Sequence, residues 1–210
     1  MNRDRKIFSN EESTIDDSKF DFLKEFEASI KNLSDPVDND LIKYEKAVDY
    51  MAEIKSDKVF SNDSRDHAAI VMSKIFKYSE KELRIYANNF NGAVSSQKKY
   101  LDSLTSFIRK EGRISLVYKS EPDDSSLAYQ MIKKYKQKFD SKVRIKQANG
   151  KFNQLIGTVL NEDYHFAIGD DNMLRIEVKP APVFGAFVCF NSKKEAEKLV
   201  RVFDEFFEEA

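Results

Sequence analysis

At 210 residues, with 41% hydrophobic residues, 17 Phe and 9 Tyr, the chain suits one domain with an appendage, or two small domains at most, and is apolar enough to bury a core. Its 35 basic and 36 acidic residues give a formal charge of −1, which excludes whole-molecule attraction to nucleic acid or an anionic membrane and leaves that role to local patches. A single cysteine excludes an intrachain disulfide, no apolar run reaches bilayer length, and no apolar leader follows the N-terminal residues, so a cytoplasmic protein without a membrane partner is expected.

Residues 1–17 are polar and charged, with Ile7, Phe8 and Ile15 as their large apolar groups, and read as a flexible arm. Phe20, Leu23, Phe26, Ile30 and Leu33 recur at spacings of three and four, predicting an amphipathic helix that Pro36 ends. Leu41, Tyr44, Val48, Met51 and Ile54 predict a second helix, with Asn39 or Asp40 in the capping position. From Met1 to Arg65, 16 acidic residues face 11 basic ones. This mildly acidic portion, residues 1–58, reads as a lid on the main domain or as a docking element for a protein partner.

From residue 59 onward, helices and strands alternate. Residues 61–64 form a turn and cap cluster, and Ala68, Val71, Met72, Ile75 and Phe76 mark one face of a helix. A strand at 83–87 runs into a turn at 88–92, and a helix with Tyr100, Leu101, Leu104, Phe107 and Ile108 stops at Gly112. A strand at 114–118, a turn at 122–124, a helix with Leu127, Met131, Ile132 and Tyr135, and a strand at 143–145 come next. Asn149-Gly150 predicts a turn or loop, followed by strand-like segments at 164–168, 173–178 and 186–190. Ala196, Leu199, Val200, Phe203 and Phe206 outline a closing helix. The expected class is α/β: a mixed, mainly parallel sheet with helices on both faces over residues 59–210, preceded by the N-terminal helices.

Two segments carry candidate chemistry. Lys133, Lys134, Lys136, Lys138, Lys142, Arg144 and Lys146 concentrate positive charge, and Tyr135 and Phe139 are interleaved with them. Phosphate contacts alternating with stacking rings are one way to hold nucleic acid. The competing reading is a solvated helix face with both rings turned to the core. The other segment is Tyr164-His165-Phe166-Ala167-Ile168-Gly169-Asp170-Asp171-Asn172, followed by Val188-Cys189-Phe190-Asn191. Arg175 and Glu177 alternate on the intervening strand, share a face and are placed to form an ion pair. Asp170, Asp171, Glu162 and Asp163 lack the register of a calcium loop, and there is no Walker loop, CxxC pair or G-x-S-x-G elbow. No metal or other cofactor is expected.

The His165 segment resembles the His-x-Lys-x4-Asp signature of the phospholipase D superfamily, and the element order over residues 59–210 resembles one half of that fold, as in its small degenerate bacterial and phage-related members. His165 stands at the His position, Ala167 at the Lys position, Asn172 at the Asp position, and Asn191 at the Asn of the later Gly-Ser-x-Asn element. The resemblance implies a phosphodiesterase site that takes its nucleophile from His165, with Asn191 on the phosphate, and that is completed by a second copy of the chain. A phosphoryl transition state concentrates negative charge that fixed cations must offset, and Ala167 supplies none. The implied function is therefore a non-catalytic interaction module, a subunit or accessory of a multi-component system such as antiviral defence. The alternative is a metal-independent phosphodiesterase or nuclease acting as a homodimer through His165.

Overall fold

A computed structural model describes residues 17–90, 92–122, 124–179 and 185–208; the N-terminal arm read at 1–17 lies outside them except for Asp17, as does Asp123 of the 122–124 turn. The elements are α1 (Leu23–Lys31), α2 (Asn39–Glu53), β1 (Phe60–Asn62), α3 (Arg65–Tyr78), β2 (Glu82–Ala87), α4 (Lys98–Arg109), β3 (Arg113–Tyr118), α5 (Leu127–Lys138), β4 (Val143–Gln147), α6 (Gly150–Leu160), β5 (His165–Gly169), β6 (Met173–Lys179), β7 (Gly185–Cys189) and α7 (Lys193–Glu208). No helix among the described residues is long and apolar enough to cross a membrane.

The seven strands form one mixed sheet in the order β1-β7-β6-β5-β2-β3-β4. Helices cover both of its faces, as expected, but the parallel share is smaller than the strand-helix alternation suggested. Among the described residues only β2–β3 and β3–β4 pair in parallel, because β5, β6 and β7 return as antiparallel neighbours and β1 closes the far edge antiparallel to β7.

Alternation along the strands sorts the two cores. Leu83, Ile85, Ala167, Met173 and Val188 face α3, α4 and α5, whose residues Ile75, Leu104, Phe107 and Ile132 are fully buried. Tyr86, Val117, Phe166, Ile168 and Leu174 face the other way, against Phe152 and Ile156 of α6 and Leu199, Phe203 and Phe206 of α7. Helices α1 and α2 form an outer layer over the first face. Phe20, Leu23, Phe26 and Ile30 are buried in the same cluster as α4 and α5, and Val48 and Ala52 of α2 join it beside α3. Lys74 to Glu45 at 2.8 Å and Lys77 to Asp49 at 3.0 Å tie α2 to α3 at the surface.

Three local readings are revised. Asp38, not Asn39 or Asp40, caps α2, its carboxylate accepting from the amides of Asp40 and Leu41 at 2.8 Å each. Within the predicted 61–64 turn only Ser64 acts as a helix cap, accepting from the His67 amide at 3.1 Å, while Ser61 and Asn62 belong to β1. The segment after Asn149 is the helix α6, capped by the Asn149 side chain at the Phe152 amide, 2.9 Å.

A polar network fixes the end of the sheet remote from His165. Glu82 and Arg84 are both nearly inaccessible. Glu82 pairs with Arg84 and Arg113 at 3.1 Å each and with Arg144 at 3.2 Å, and Asp204 of α7 receives Arg84 at 3.0 Å and Arg144 at 2.7 Å. Asp170 pins the start of β2: its carboxylate accepts from the backbone amides of Lys81 at 2.8 Å and of Glu80 and Glu82 at 3.1 Å. That accounts for the Asp170-Asp171 pair as a structural turn, and Gly169 before it is required because a Cβ there would lie 2.4 Å from the Ser79 Oγ.

Candidate ligand pocket around His165

His165 is the first residue of β5, which runs antiparallel to β2 and so begins beside the carboxyl end of that strand. This is the end of an α/β sheet where binding sites collect, between a strand terminus and the loop that follows it. The β2–α4 loop carries Asn88, Asn89, Phe90, Ala93 and Ser95, and with β2, β5 and β6 it encloses a cavity of about 350 Å³. Its walls are largely apolar, from Met72, Ile85, Phe90, Val94 and Tyr100.

The polar groups of the cavity come from cross-strand register. Ala167 faces Arg175, and His165 faces Glu177, across the β5–β6 ladder. Glu177 is in turn opposite Ala186, and Ala186 is opposite Asn62. Period-two alternation therefore puts His165, Ala167, Arg175, Glu177 and Asn62 on one face. The Arg175 Nη1 donates to Glu177 Oε2 at 3.1 Å, and its Nε donates to Asn62 Oδ1 at 3.2 Å. Arg175 is 7% exposed and Asn62 wholly buried, and among the described residues the Asn62 Nδ2 has no hydrogen-bond partner.

The His165 ring stands edge-on to Tyr86, with centroids 5.5 Å apart. Burial is the main influence on its pKa and lowers it; Glu177 and Asp163 pull upward, Lys119 and Arg175 downward, and the net value lies below that of a free imidazole. His165 is therefore neutral at pH 7. Lys119 Nζ is 2.5 Å from Asp163 Oδ2, and the Tyr86 hydroxyl donates to Asp163 Oδ1 at 2.6 Å. These contacts hold the turn before β5 against β2 and β3. Phe90 has φ 59°, a conformation that costs energy for a bulky side chain, and its carbonyl accepts from the hydroxyls of Ser95 at 2.8 Å and Ser126 at 2.9 Å, which hold it there.

The sequence candidates are dispersed. Asn191 is exposed beyond the end of β7, and because β7 runs in the same direction as β5, that end is the one remote from His165. Asn172 is there too, its carbonyl accepting from the Ser192 amide at 2.7 Å. The groups beside His165 are instead Arg175, backed by Asn62, and Glu177, with Asn88, Asn89 and Ser95 of the loop, and the sequence reading assigned neither Asn62 nor these loop residues to a site. The asparagine-rich run after β2 was the available signal. His67 packs against Tyr44, ring centroids 3.8 Å apart, with Nδ1 2.8 Å from Asp63 Oδ1.

The basic segment does not form one surface. Lys133 pairs with Asp124 and Lys136 with Asp140; Lys142 donates to the Glu111 carbonyl at 2.9 Å; Arg144 belongs to the Glu82–Asp204 network; Lys146 donates to the Phe206 carbonyl at 2.8 Å. Lys134 and Lys138 are exposed on α5. Tyr135 is fully buried, with its hydroxyl on the Gly112 carbonyl, and Phe139 packs between it and Phe20, so neither ring is presented for stacking. Among the described residues no group of three or more His, Cys, Asp or Glu is arranged to hold a metal ion.

No protein-family model matches this chain, and no curated protein does. Among solved structures it is similar to NucT from Helicobacter pylori, with a TM-score of 0.52 and 11% identity, covering 72% of this chain and 96% of that one. It is also similar to Nuc from Salmonella typhimurium, a phospholipase D family member, with a TM-score of 0.49 and 11% identity over 70% of this chain and 92% of that one. The likeness is one of fold.

Proposed function

We propose that this phospholipase D-like fold serves binding, as a non-catalytic interaction module, and does not cleave phosphodiesters. One observation carries the reading: the cations near His165 are already committed, Arg175 to Glu177 and Asn62 and Lys119 to Asp163. A phosphoryl transition state needs uncommitted positive charge and donors aimed at its oxygens. Here the position opposite Arg175 is the methyl group of Ala167, and Glu177 adds a negative charge that opposes a phosphate. A partner surface is supported by the outer side of the N-terminal layer, where Ile42, Tyr50 and Ile54 on and just after α2 are exposed together with Val37 and Val59. Such a module fits a subunit or accessory of a larger assembly.

The test is cleavage of single- and double-stranded DNA and RNA in EDTA by the purified protein and by His165→Ala. Absence of cleavage by both is the expected result. Cleavage by the wild type that is lost in His165→Ala would replace this reading with a homodimeric phosphodiesterase.

A further inference from the structure

The cavity at His165 is larger and more elaborate than a vestige requires. At about 350 Å³ it falls within the range of small-molecule sites, and it combines apolar and aromatic walls with a few convergent polar groups. The strained backbone at Phe90 is locked by two hydroxyls, that of Ser95 on the cavity wall and that of Ser126 behind it. Strain of this kind persists only where surrounding contacts enforce it, and it is concentrated at functional sites.

The polar wall selects among ligand classes. Arg175 and Glu177 cancel in charge, so a free phosphate or carboxylate gains no net attraction and is opposed by the Glu177 carboxylate. A purely apolar ligand would seal Arg175, Glu177 and His165 away from water with no new partners, at the cost of their desolvation. A neutral, flat molecule with N–H donors next to a carbonyl satisfies both constraints. Its donors meet Glu177, whose Oε1 makes no hydrogen bond to the described residues, and its carbonyl meets the guanidinium edge. The neutral imidazole of His165 offers a further donor or acceptor. Nucleobases are read in this way, by hydrogen bonds along one edge and aromatic or apolar contact with the ring faces.

We infer that this cavity binds a nucleobase of the guanine type, with the base N–H groups on Glu177, its carbonyl oxygen on Arg175, and its ring against the wall that Phe90 and Tyr100 form together. Guanine matches better than adenine because it directs two adjacent N–H groups at a single carboxylate. The inference rests on the binding reading proposed above and names its ligand class.

Isothermal titration of the full chain with guanosine, adenosine, cytidine and uridine tests it. Guanosine is expected to bind, with adenosine about tenfold weaker or worse, the equivalent of one net hydrogen bond. Glu177→Gln, which replaces one acceptor oxygen by a donor, should weaken guanosine by at least about tenfold and narrow the preference over adenosine. Ala93→Trp, at the exposed rim, should abolish binding while leaving the melting temperature unchanged, so that loss of binding is separated from loss of fold. Absence of binding by all four nucleosides at millimolar concentration would overturn the inference, as would binding that neither variant alters. The dinucleotide guanylyl-3′,5′-guanosine, which carries a phosphodiester, is analysed by chromatography after incubation. Its conversion would overturn the non-catalytic reading and leave the base pocket standing, whereas no binding with no conversion would overturn the pocket alone.

Discussion

Ala167 and Arg175 face each other across the β5–β6 ladder, so the position at which the resemblance places a lysine is a methyl group directly opposite a buried guanidinium. The positive charge of this site therefore sits on the neighbouring strand, already paired with Glu177. Restoring the lysine does not restore the site. Ala167→Lys is expected to place a second cation beside Arg175 and to destabilise the protein by about 2–4 kcal/mol, with no gain of phosphodiesterase activity. Ala167→Met, an uncharged chain of similar length, is expected to cost about 1–3 kcal/mol from overpacking alone. Urea denaturation of the two variants separates the contributions; equal losses would show that charge plays no part.

Removing one partner of the Arg175–Glu177 pair should cost more than removing both. Arg175→Met leaves a largely buried carboxylate and the Asn62 carbonyl without their donor, and a loss of about 3 kcal/mol is expected. Arg175→Met combined with Glu177→Leu should recover a substantial part of that loss. A double variant as unstable as the sum of the singles would show that the pair is not coupled.

Acid stability should depend on Asp204. Burial raises its pKa, but the hydrogen bonds and charges of Arg84 and Arg144 outweigh it and hold the carboxyl below its ordinary value. A carboxyl depressed by folding contributes its full stabilisation above the unfolded value of about 3.9 and loses it as pH falls through the folded value. Asp204→Asn is therefore expected to be less stable than wild type at pH 7, by about 2–3 kcal/mol. The two curves should converge below about pH 4. Urea midpoints measured from pH 7 to pH 2 check this; a constant gap across the range would contradict it.

His165 should give a second, separate pH dependence. Its folded pKa lies below that of a free imidazole, with burial as the first cause, so the unfolded chain takes up the proton first as pH falls. Stability attributable to this residue declines from about pH 6.5 downward and levels off below the folded pKa. His165→Gln cannot titrate and should flatten the melting temperature between pH 7 and pH 5. An unchanged slope in that interval would assign the dependence elsewhere.

Much of the architecture was legible because it rests on periodicity. Tyr100, Leu101, Leu104, Phe107 and Ile108 are spaced for one helical face, and all five are buried in α4. The Arg175–Glu177 pair followed from alternation, and its atoms lie 3.1 Å apart. Helix α6 was missed because Asn149-Gly150 has turn chemistry, yet here Asn149 is a cap, and Phe152, Leu155, Ile156 and Val159 beyond it carry the helical spacing. The basic segment is spread over a helix, a 3-10 turn and a strand, and five of its seven cations find local acceptors, while Lys134 and Lys138 stay exposed. The pocket was the least legible feature. The β2–α4 loop from Asn88 onward, His165, Arg175 and Glu177 are up to 89 residues apart, and strand order brings them together.

The outer layer has a consequence for the order in which the chain is made. Helices α1 and α2 are synthesised before α4 and α5, but the surfaces that bury Phe20, Leu23, Phe26 and Ile30 belong to those later helices, completed only at Lys138. At about 5–20 residues per second, the interval between the end of α2 and the end of α5 is on the order of ten seconds. For that time four large apolar side chains have no native surface to occupy, so the outer layer can dock only after the platform beneath it has been made.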